Sequence, residues 1–291
     1  MKDRFAEIKG LYDGFRRPSI GIDPVRDFLV EQIIQKSTRL LTDTTRVPLI
    51  SRVAGKSYFA FCIEGSPKLS RAINADLYCD DVMESWRSFV ENVRAGSVTE
   101  ERKAEFSRAL YTAAISFCAV NDLFSSGDQK TPGTFFEHFV SYIFKLCLKA
   151  EPVTQIQVLD YDEDKVTLQT DRIFNMGPRK PKYHVPIKTS SRERAIMLWA
   201  HQKLLDGVYG IEKFAGTPVL LAETKTDNKK REVVEICLPD QWLVYQLYIS
   251  KLKRVYYLDM PDAYRKLAKT TPPLHVRPLI EFFFEWDDIY Y

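Results

Sequence analysis

The chain has 291 residues, of which 45% are hydrophobic and 28% charged, and its mean hydropathy is −0.25. This composition is typical of a globular protein and excludes collagen-like, disordered and membrane-spanning classes. No apolar run approaches the roughly 18 residues that span a bilayer, and the start, MKDRFAEIKG, lacks the apolar segment of a signal peptide. We therefore expect a cytoplasmic protein without membrane contact.

Charge is balanced overall and unevenly distributed. The 42 Lys and Arg residues against 39 Asp and Glu residues give a net charge of only +3. Between Arg172 and Lys213, nine basic residues stand against three acidic ones, whereas the last eleven residues carry four acids and no base. This separation could present a basic face to a polyanion, and a solvated face is the alternative.

Several common kinds of site are not indicated. The five cysteines are never spaced C-x-x-C, the four histidines are never paired at metal spacing, and neither G-x-x-x-x-G-K nor G-x-G-x-x-G occurs. The sequence therefore predicts no disulfide framework, no thiolate zinc site and no nucleotide cofactor.

The first 125 residues predict a mainly helical region, because apolar residues recur every three or four positions. The helical segments are PVRDFLVEQIIQKSTRLL, ADLYCDDVMESWRSFVENVRAG and EERKAEFSRALYTAAISFCAVNDLF. The loop SSGDQKTPG follows, and its Gly, Pro and Asp residues mark a boundary. We therefore divide the chain into a mainly helical region, 1–125, and a second domain, 126–291.

The second domain alternates helices and strands. In chain order the pattern predicts the helix GTFFEHFVSYIFKLCLKA, the paired strands VTQIQVLD and KVTLQTDRIFNM, the strand YHVPIKTS, the helix SRERAIMLWAHQKLLDG, the buried strand TPVLLAET, the helix PDQWLVYQLYISKLK and a last central strand, RVYYLDM. This order predicts an α/β or α+β core whose mixed sheet is flanked by helices.

Two strand ends carry residues suited to phosphodiester chemistry. Asp171 ends the strand VTLQTD, and Lys188 ends the next strand, YHVPIK. A carboxylate can hold a hard divalent cation, and a lysine beside it can orient or deprotonate a water. Glu137 is a carboxylate on the apolar helix GTFFEHFV and needs a partner. The structural alternative is a surface Asp, a surface Lys and a paired Glu.

A charged run follows Lys188 at the start of the next helix. Arg192, Glu193 and Arg194 lie in the segment KTSSRER. Arginine pairs with guanine O6 and N7, and a carboxylate accepts from cytosine N4, so the run suits a site of G and C bases. An exposed helix start is the alternative interpretation.

These residues resemble the type II restriction endonucleases of the PD-(D/E)XK fold, in particular the group of EcoRII, SsoII, PspGI and NgoMIV. That group has a helix glutamate, a strand aspartate, a strand lysine and, three residues later, an R-(E/D)-R-like run. The resemblance covers roughly residues 130–260. It implies that Glu137 and Asp171 serve a Mg²⁺ site, that Lys188 is the catalytic lysine, and that Arg192, Glu193 and Arg194 read CC and GG halves of a DNA site.

The sequence departs from the family pattern at two positions. Pro186 replaces the acid or serine found two residues before the lysine, and Gln202 stands near the position of a later helix acid. The metal would then be shared by Asp171, Glu137, water, the main-chain carbonyl of Ile187 and, at the catalytic centre, Gln202. Because Gln202 extends an apolar helix stripe, its amide needs a partner, which is either the water shell of the metal or a backbone group.

A second assignment exists within the same fold. Glu223-Thr224-Lys225 is a literal E-x-K after a buried strand, and Asp171 could complete the motif. The segment after Lys225 does not predict a helix that could carry base-contacting residues. If Glu223-Thr224-Lys225 has no catalytic role, it is an exposed strand end. The basic loop PRKPK, residues 178–182, either touches a phosphate backbone or is solvated.

The resemblance implies a Mg²⁺-dependent restriction endonuclease of a restriction-modification system. Such an enzyme hydrolyses double-stranded DNA at a short palindrome, here with CC and GG halves in a CCGG-like or CCNGG-like site, and acts as a homodimer. The resemblance implies that residues 126–291 form the PD-(D/E)XK-like catalytic core and that the helical region 1–125 serves dimerisation or clamps DNA. Two alternatives stay open: a non-cleaving DNA-binding or repair protein of the nuclease fold, and a helical interaction protein.

Overall fold

The computed structural model describes residues 1–17, 24–125, 127–161 and 164–289, without the side chains of 159–165 and Glu193. The chain divides into two compact units. The first comprises Met1–Phe139 and Thr224–Glu235, and the second comprises Val140–Glu223 and Ile236–Tyr291. The chain thus leaves the first unit, returns to it for one short segment, and leaves it again.

Most predicted helices are present in the structure. The helices are α1 Lys2–Phe15, α2 Pro24–Thr42, α3 Val82–Ala95, α4 Lys103–Phe124, α5 Lys130–Leu148, α6 Ile196–Tyr209, α7 Pro239–Tyr248 and α8 Phe282–Glu285. Short 3₁₀ turns precede α4 and α6, at Glu100–Arg102 and Arg192–Arg194. Helix α3 begins later than its apolar period suggested, because the residues before Val82 form turns. Within the described ranges, no helix is long and apolar enough to cross a membrane.

Most strands are short. The strands are β1 Thr45–Ser51, β2 Tyr58–Cys62, β3 Ile73–Asn74, β4 Pro152–Tyr161, β5 Asp164–Phe174, β6 Lys182–Val185, β7 Ile187–Lys188, β8 Phe214–Gly216, β9 Val219–Leu220, β10 Thr224–Asp227, β11 Glu232–Glu235, β12 Val255–Tyr257 and β13 Val276–Pro278. The longest are β4 and β5, with 10 and 11 residues.

The first unit combines its helices with a sheet of order β10-β11-β1-β2-β3. Strand β1 pairs antiparallel with β2 and parallel with β11. The expectation of a mainly helical region in the first 125 residues missed this sheet, although β1, β2 and β3 lie within them; β10 and β11 come from a distant part of the sequence. Helix α4 packs in the middle of the unit, and its Phe117 ring stacks on Phe135 of α5 with centroids 4.2 Å apart.

The second unit contains a mixed sheet interrupted by two prolines. Its two parts have the orders β4-β5-β6-β8 and β13-β12-β9-β7. Pro186 separates β6 from β7, and Pro218 separates β8 from β9. Hydrogen bonds of 2.8 Å from Thr217 N to His184 O and from Val219 N to Pro186 O carry the ladder across the interruption. Strand β12 lies between β9 and β13, so the predicted last central strand has one further neighbour.

Aromatic side chains cover both faces of this sheet. On one face, Phe144 of α5 stacks on Phe282 of α8, with ring centroids 3.9 Å apart. On the other face, Trp199 of α6 packs on Trp242 of α7 at 5.3 Å, and Trp242 packs on Tyr264 at 4.1 Å. The buried area of such rings supplies most of the free energy that holds the helices on the sheet.

Candidate active site

An ion pair joins β5 to the end of β7. The pairing of Arg172 with Val185 places Asp171 opposite Pro186. The Asp171 Oδ2 atom accepts hydrogen bonds of 2.7 Å from the Lys188 ammonium and from the Ile187 amide. The Asp171 side chain is 21% exposed and that of Lys188 43%. Asp171 lies inside β5, three residues before its end, rather than at the strand terminus that the alternation predicted.

The Ile187 carbonyl lies on the same side of the strand as the Asp171 carboxylate. The carbonyls of Pro186 and Lys188 accept from Val219 and Leu221 of the neighbouring strand segment. Because the N–H and C=O of one residue in a strand point the same way, the Ile187 carbonyl points away from β9, toward the edge where its amide meets Asp171.

A carboxylate and a carbonyl oxygen are hard donors that suit Mg²⁺, which keeps several waters in its coordination shell. Across the described part of the chain, no three His, Cys, Asp or Glu side chains cluster at metal distance. The residues present therefore fit a metal held by few protein ligands, with water and phosphate oxygens completing the shell.

Gln202 is held by protein groups. Its Oε1 lies 3.1 Å from His184 Nδ1, and its Nε2 donates to Asp206 Oδ1 at 2.9 Å and to the Phe214 carbonyl at 3.0 Å. A side chain at Gly216 would meet Gln202 Oε1 at 2.7 Å, so the amide packs directly against backbone. The sequence left two partners open for the Gln202 amide, the water shell of a metal or a backbone group. The structure shows the backbone carbonyl of Phe214 as a partner, together with the side chains of His184 and Asp206.

His184 is buried next to this amide. Burial lowers the pKa of His184 to about 4, although the Gln202 hydrogen bond and the Asp171 charge favour the protonated ring. The imidazole is therefore neutral at pH 7. With Gln202 and Asp206 it forms a polar chain beneath α6, continued by the Ser250 hydroxyl, which donates to Asp206.

The reading turn, which we define as Arg192–Arg194, forms a single 3₁₀ turn before α6. The sequence placed these residues in the first turn of the helix itself. Arg194 is exposed, Arg192 is partly buried with a φ of 38°, and the Glu193 side chain lies outside the described residues. The turn begins four residues after Lys188, so the three residues for which the sequence predicts base contacts lie in the same unit as the Asp171–Lys188 pair.

Glu223 is fully buried and does not resemble an exposed strand end. Its carboxylate accepts hydrogen bonds from Ser190 Oγ, from the amide and hydroxyl of Ser191, from the Arg192 amide and from the Tyr257 hydroxyl. Its oxygens are thus engaged by protein donors rather than open to a metal. One signal in the sequence could have revealed this anchor, an acid directly after a buried strand.

Glu137 and Lys225 belong to the first unit. Glu137 is partly buried on α5, where burial chiefly raises the pKa of Tyr12 and the carboxylates of Asp13 and Glu137 add to that rise. Lys225 is exposed on β10. The assignment of Glu137 to the metal remains a prediction from the sequence.

A basic groove lies at the other end of β6 and α6. It has a volume of about 330 Å³ and is lined by Pro178, Arg179, Lys180, Pro181, Ile211, Glu212, Lys213, Phe214, Ala215 and Lys253. Lys253 pairs with Glu212 at 3.8 Å and Lys180 pairs with Asp287. Within the described ranges, Arg179 and Lys213 form no ion pair, so the groove retains positive charge.

Helices α6 and α7 expose apolar side chains on their outward sides. Met197, Leu204 and Val208 of α6 are 48%, 50% and 44% exposed, and Leu247 and Tyr248 of α7 are 44% and 80% exposed. The two helices are neighbours, because Trp199 also packs on Tyr245 at 5.4 Å. Adjoining apolar faces of this kind mark interaction surfaces.

One solved structure is similar to the whole chain. The chain matches the crystal structure of the type IIP restriction endonuclease Kpn2I with a TM-score of 0.79 and 24% sequence identity, over 99% of this chain and 97% of that one. No protein-family model and no curated protein matches the chain. The similarity shows the fold and confirms the predicted PD-(D/E)XK-like core, a mixed sheet flanked by helices.

Proposed function

We propose that this chain is a type II restriction endonuclease that hydrolyses double-stranded DNA in a Mg²⁺-dependent reaction. One observation carries the proposal: the lysine of the Asp171–Lys188 ion pair lies four residues before the reading turn, in a chain that shares the fold of Kpn2I over nearly its full length. The substrate that we propose is a short palindrome with CC and GG halves, CCGG-like or CCNGG-like.

Asp171 and Lys188 have complementary tasks in this reaction. Asp171 and the Ile187 carbonyl would hold a Mg²⁺ ion, which would supply positive charge at the phosphate and lower the pKa of a bound water. Lys188 donates a hydrogen bond that orients the attacking water, and Asp171 fixes the ammonium through the 2.7 Å hydrogen bond. The water oxygen attacks phosphorus in line with the P–O3′ bond and loses one proton to solvent. The P–O3′ bond breaks, and the departing O3′ oxyanion takes up one proton from solvent, which leaves a 5′-phosphate and a 3′-hydroxyl.

The reading turn supplies the base contacts of the proposal. Arg192 and Arg194 would pair with guanine O6 and N7, and Glu193 would accept from cytosine N4. The basic groove, with Arg179 and Lys213, would bind phosphates without reading bases. Together these contacts separate sequence recognition from general affinity.

A palindromic site requires two copies of the reading turn related by a two-fold axis. The exposed apolar face of α6 begins immediately after the turn, and α7 continues it. Two turns on adjacent half-sites would bring these faces together, so we assign them to the interface of a homodimer. Sedimentation of the purified protein as a monomer at micromolar concentration would contradict this assignment.

A non-cleaving DNA-binding protein of the same fold is the second candidate. Pro186 and the internally bonded Gln202 favour it, because the family pattern has an acid or serine at the first position and an acid near the second. Incubation with plasmid DNA and Mg²⁺ distinguishes the candidates. Discrete fragments support the endonuclease, a salt-sensitive gel shift without cutting supports the binding protein, and the absence of both results supports a helical interaction protein.

A further inference from the structure

The Glu223 carboxylate is a buried charge surrounded by hydrogen-bond donors. It is 0% exposed. The Ser191 amide and hydroxyl donate to Oε1 at 2.9 and 2.5 Å, and the Tyr257 hydroxyl donates to the same oxygen at 2.8 Å. The Ser190 hydroxyl and the Arg192 amide donate to Oε2 at 3.0 and 3.2 Å. A buried carboxylate is stable only while such donors are kept in place, so it fixes their positions.

These donors hold the start of the reading turn in an unusual conformation. Arg192 has a φ of 38°, in a region that residues other than glycine rarely occupy. Such a backbone persists only where surrounding groups over-determine it. The Arg192 and Ser191 amides both bond to Glu223, which therefore holds the backbone that leads into the turn.

The same segment of chain also holds the backbone around Lys188. Leu221 and Ala222, just before Glu223, donate amide hydrogen bonds to the carbonyls of Lys188 and Thr189 at 3.1 and 3.2 Å. The segment 221–223 thus binds two successive parts of the chain, the end of β7 through its backbone and the reading turn through one side chain. A shift of the turn is resisted at Glu223, directly beside the strand that carries Lys188.

We propose that Glu223 is a positioning residue that fixes the reading turn relative to Lys188, so that discrimination between DNA sites depends on it. This inference rests on the proposed endonuclease function. Glu223 contacts neither the DNA nor the reacting atoms in this role; it acts through Ser190, Ser191 and Arg192.

Glu223→Gln tests the proposal with little change in side-chain size. The new NH₂ group would face amide and hydroxyl donors and could not accept their hydrogen bonds. We expect the ratio of kcat/KM on the cognate site to that on sites with one base pair changed to fall roughly 10-fold or more, since each misplaced arginine fork reduces discrimination to that extent. Affinity for random DNA at low salt should stay unchanged.

Glu285→Gln is the matched control. Glu285 is a carboxylate in the same unit, 14% exposed and paired with Arg254, Arg277 and Tyr256. Its replacement also removes a largely buried charge, but it has no bond to the reading turn. An equal change of the specificity ratio in both variants would overturn the proposal, because the effect would then be general destabilisation.

Two milder variants keep the test valid if Glu223→Gln does not fold. Tyr257→Phe and Ser191→Ala each remove one hydroxyl donor and leave the carboxylate in place. Both should lower the specificity ratio by a smaller factor, and an unchanged ratio in both would refute the proposal. Wild-type protein that neither cuts nor selectively binds any site would instead refute the proposed function, which separates the two failures.

Discussion

Asp171 and Lys188 form a short ion pair at the point where β5 meets the end of β7, with 2.7 Å between the ammonium and the carboxylate. Both side chains are partly exposed, so the pair is accessible to a ligand at the surface. The Ile187 amide shares the same carboxylate oxygen, so the strand itself fixes the pair.

Lys188→Ala should abolish DNA cleavage and leave specific binding nearly intact. One lysine among many basic groups adds little to phosphate attraction, but in this proposal Lys188 is the group at the scissile phosphate. Cleavage of plasmid DNA and gel shifts on a cognate duplex measure the two effects. Lys203→Ala, an exposed lysine on α6, is the control, and retained cutting by Lys188→Ala would direct attention to Lys225.

Arg194→Ala should weaken cognate binding by about 1–3 kcal/mol for each base contact removed and leave random-sequence binding unchanged. Arg194 is exposed at the end of the reading turn, so its replacement should not disturb the core. Fluorescence anisotropy on cognate and random duplexes measures the difference. An equal weakening on both duplexes would show that Arg194 contacts backbone rather than bases.

At the scale of elements, α6 rests on β6 through polar contacts as well as apolar packing. The His184 ring contacts the Gln202 amide, and the Asp206 carboxylate accepts hydrogen bonds from the Gln202 amide and the Ser250 hydroxyl. This buried network fixes the register between helix and strand, although His184 Nε2 has no hydrogen-bond partner among the described residues. Its disruption would leave further unpaired groups that cost stability.

Gln202→Glu should lower the melting temperature by the same amount with and without Mg²⁺. The new carboxylate would face the Asp206 carboxylate and the Phe214 carbonyl, where the amide now donates, at a cost of about 1–3 kcal/mol or more. Calorimetry in EDTA and in Mg²⁺ measures it, with exposed Gln241→Glu as the control. Stabilisation by Mg²⁺ in the variant alone would instead place Gln202 beside the metal.

Stability should decline between about pH 6.5 and pH 4 because of His184. Its folded pKa of about 4 lies below the unfolded value near 6.5, so the unfolded chain binds a proton that the folded chain excludes. The free energy of unfolding is therefore highest above pH 6.5, and protonation of His184 in the unfolded chain lowers it by up to about 3 kcal/mol toward pH 4. Urea unfolding of wild type and His184→Gln at pH 7 and pH 5 measures this, and identical pH dependence in the two proteins would contradict it.

Local patterns predicted most of the helices, the main strands of the second unit and the proximity of Asp171 to Lys188, because strand alternation and helical period are local properties. They did not predict the sheet of the first unit. The apolar stripe of α6 likewise predicted that Gln202 is buried. The sequence could not identify its partners, since His184 and Phe214 lie on other elements. It also missed Glu223 as an anchor, because the donors that surround it come from separate segments of the chain.

At the scale of the whole molecule, the basic groove and the reading turn lie at opposite ends of α6, a helix of 14 residues, so about 21 Å separates its ends. The positive charge of the second unit is therefore spread over a length comparable to several phosphates along a DNA strand. Positive charge that extends beyond the reading turn would strengthen binding to DNA of any sequence more than it would strengthen the preference for one site.

Replacing Arg179 and Lys213 together with Ala should weaken binding to cognate and random DNA alike. The slope of log K against log salt should decrease by up to about 2, one for each phosphate that the variant no longer neutralises. Titrations at several salt concentrations measure the slope, and Lys251→Ala, an exposed lysine outside the groove lining, is the control. An unchanged slope would show that the groove does not bind DNA.

The return of the chain to the first unit has a consequence for how the protein is made. The edge of β1 is completed only by β11, through the amides of Ile50 and Arg52 bonded to the carbonyls of Arg231 and Val233. A ribosome must therefore have released residue 235 before the first sheet can close. A fragment that ends at residue 139 would lack β11, so the edge of β1 would be unpaired and the fragment should self-associate. Because each unit consists of two separate segments of the chain, neither unit can be expressed as one continuous fragment.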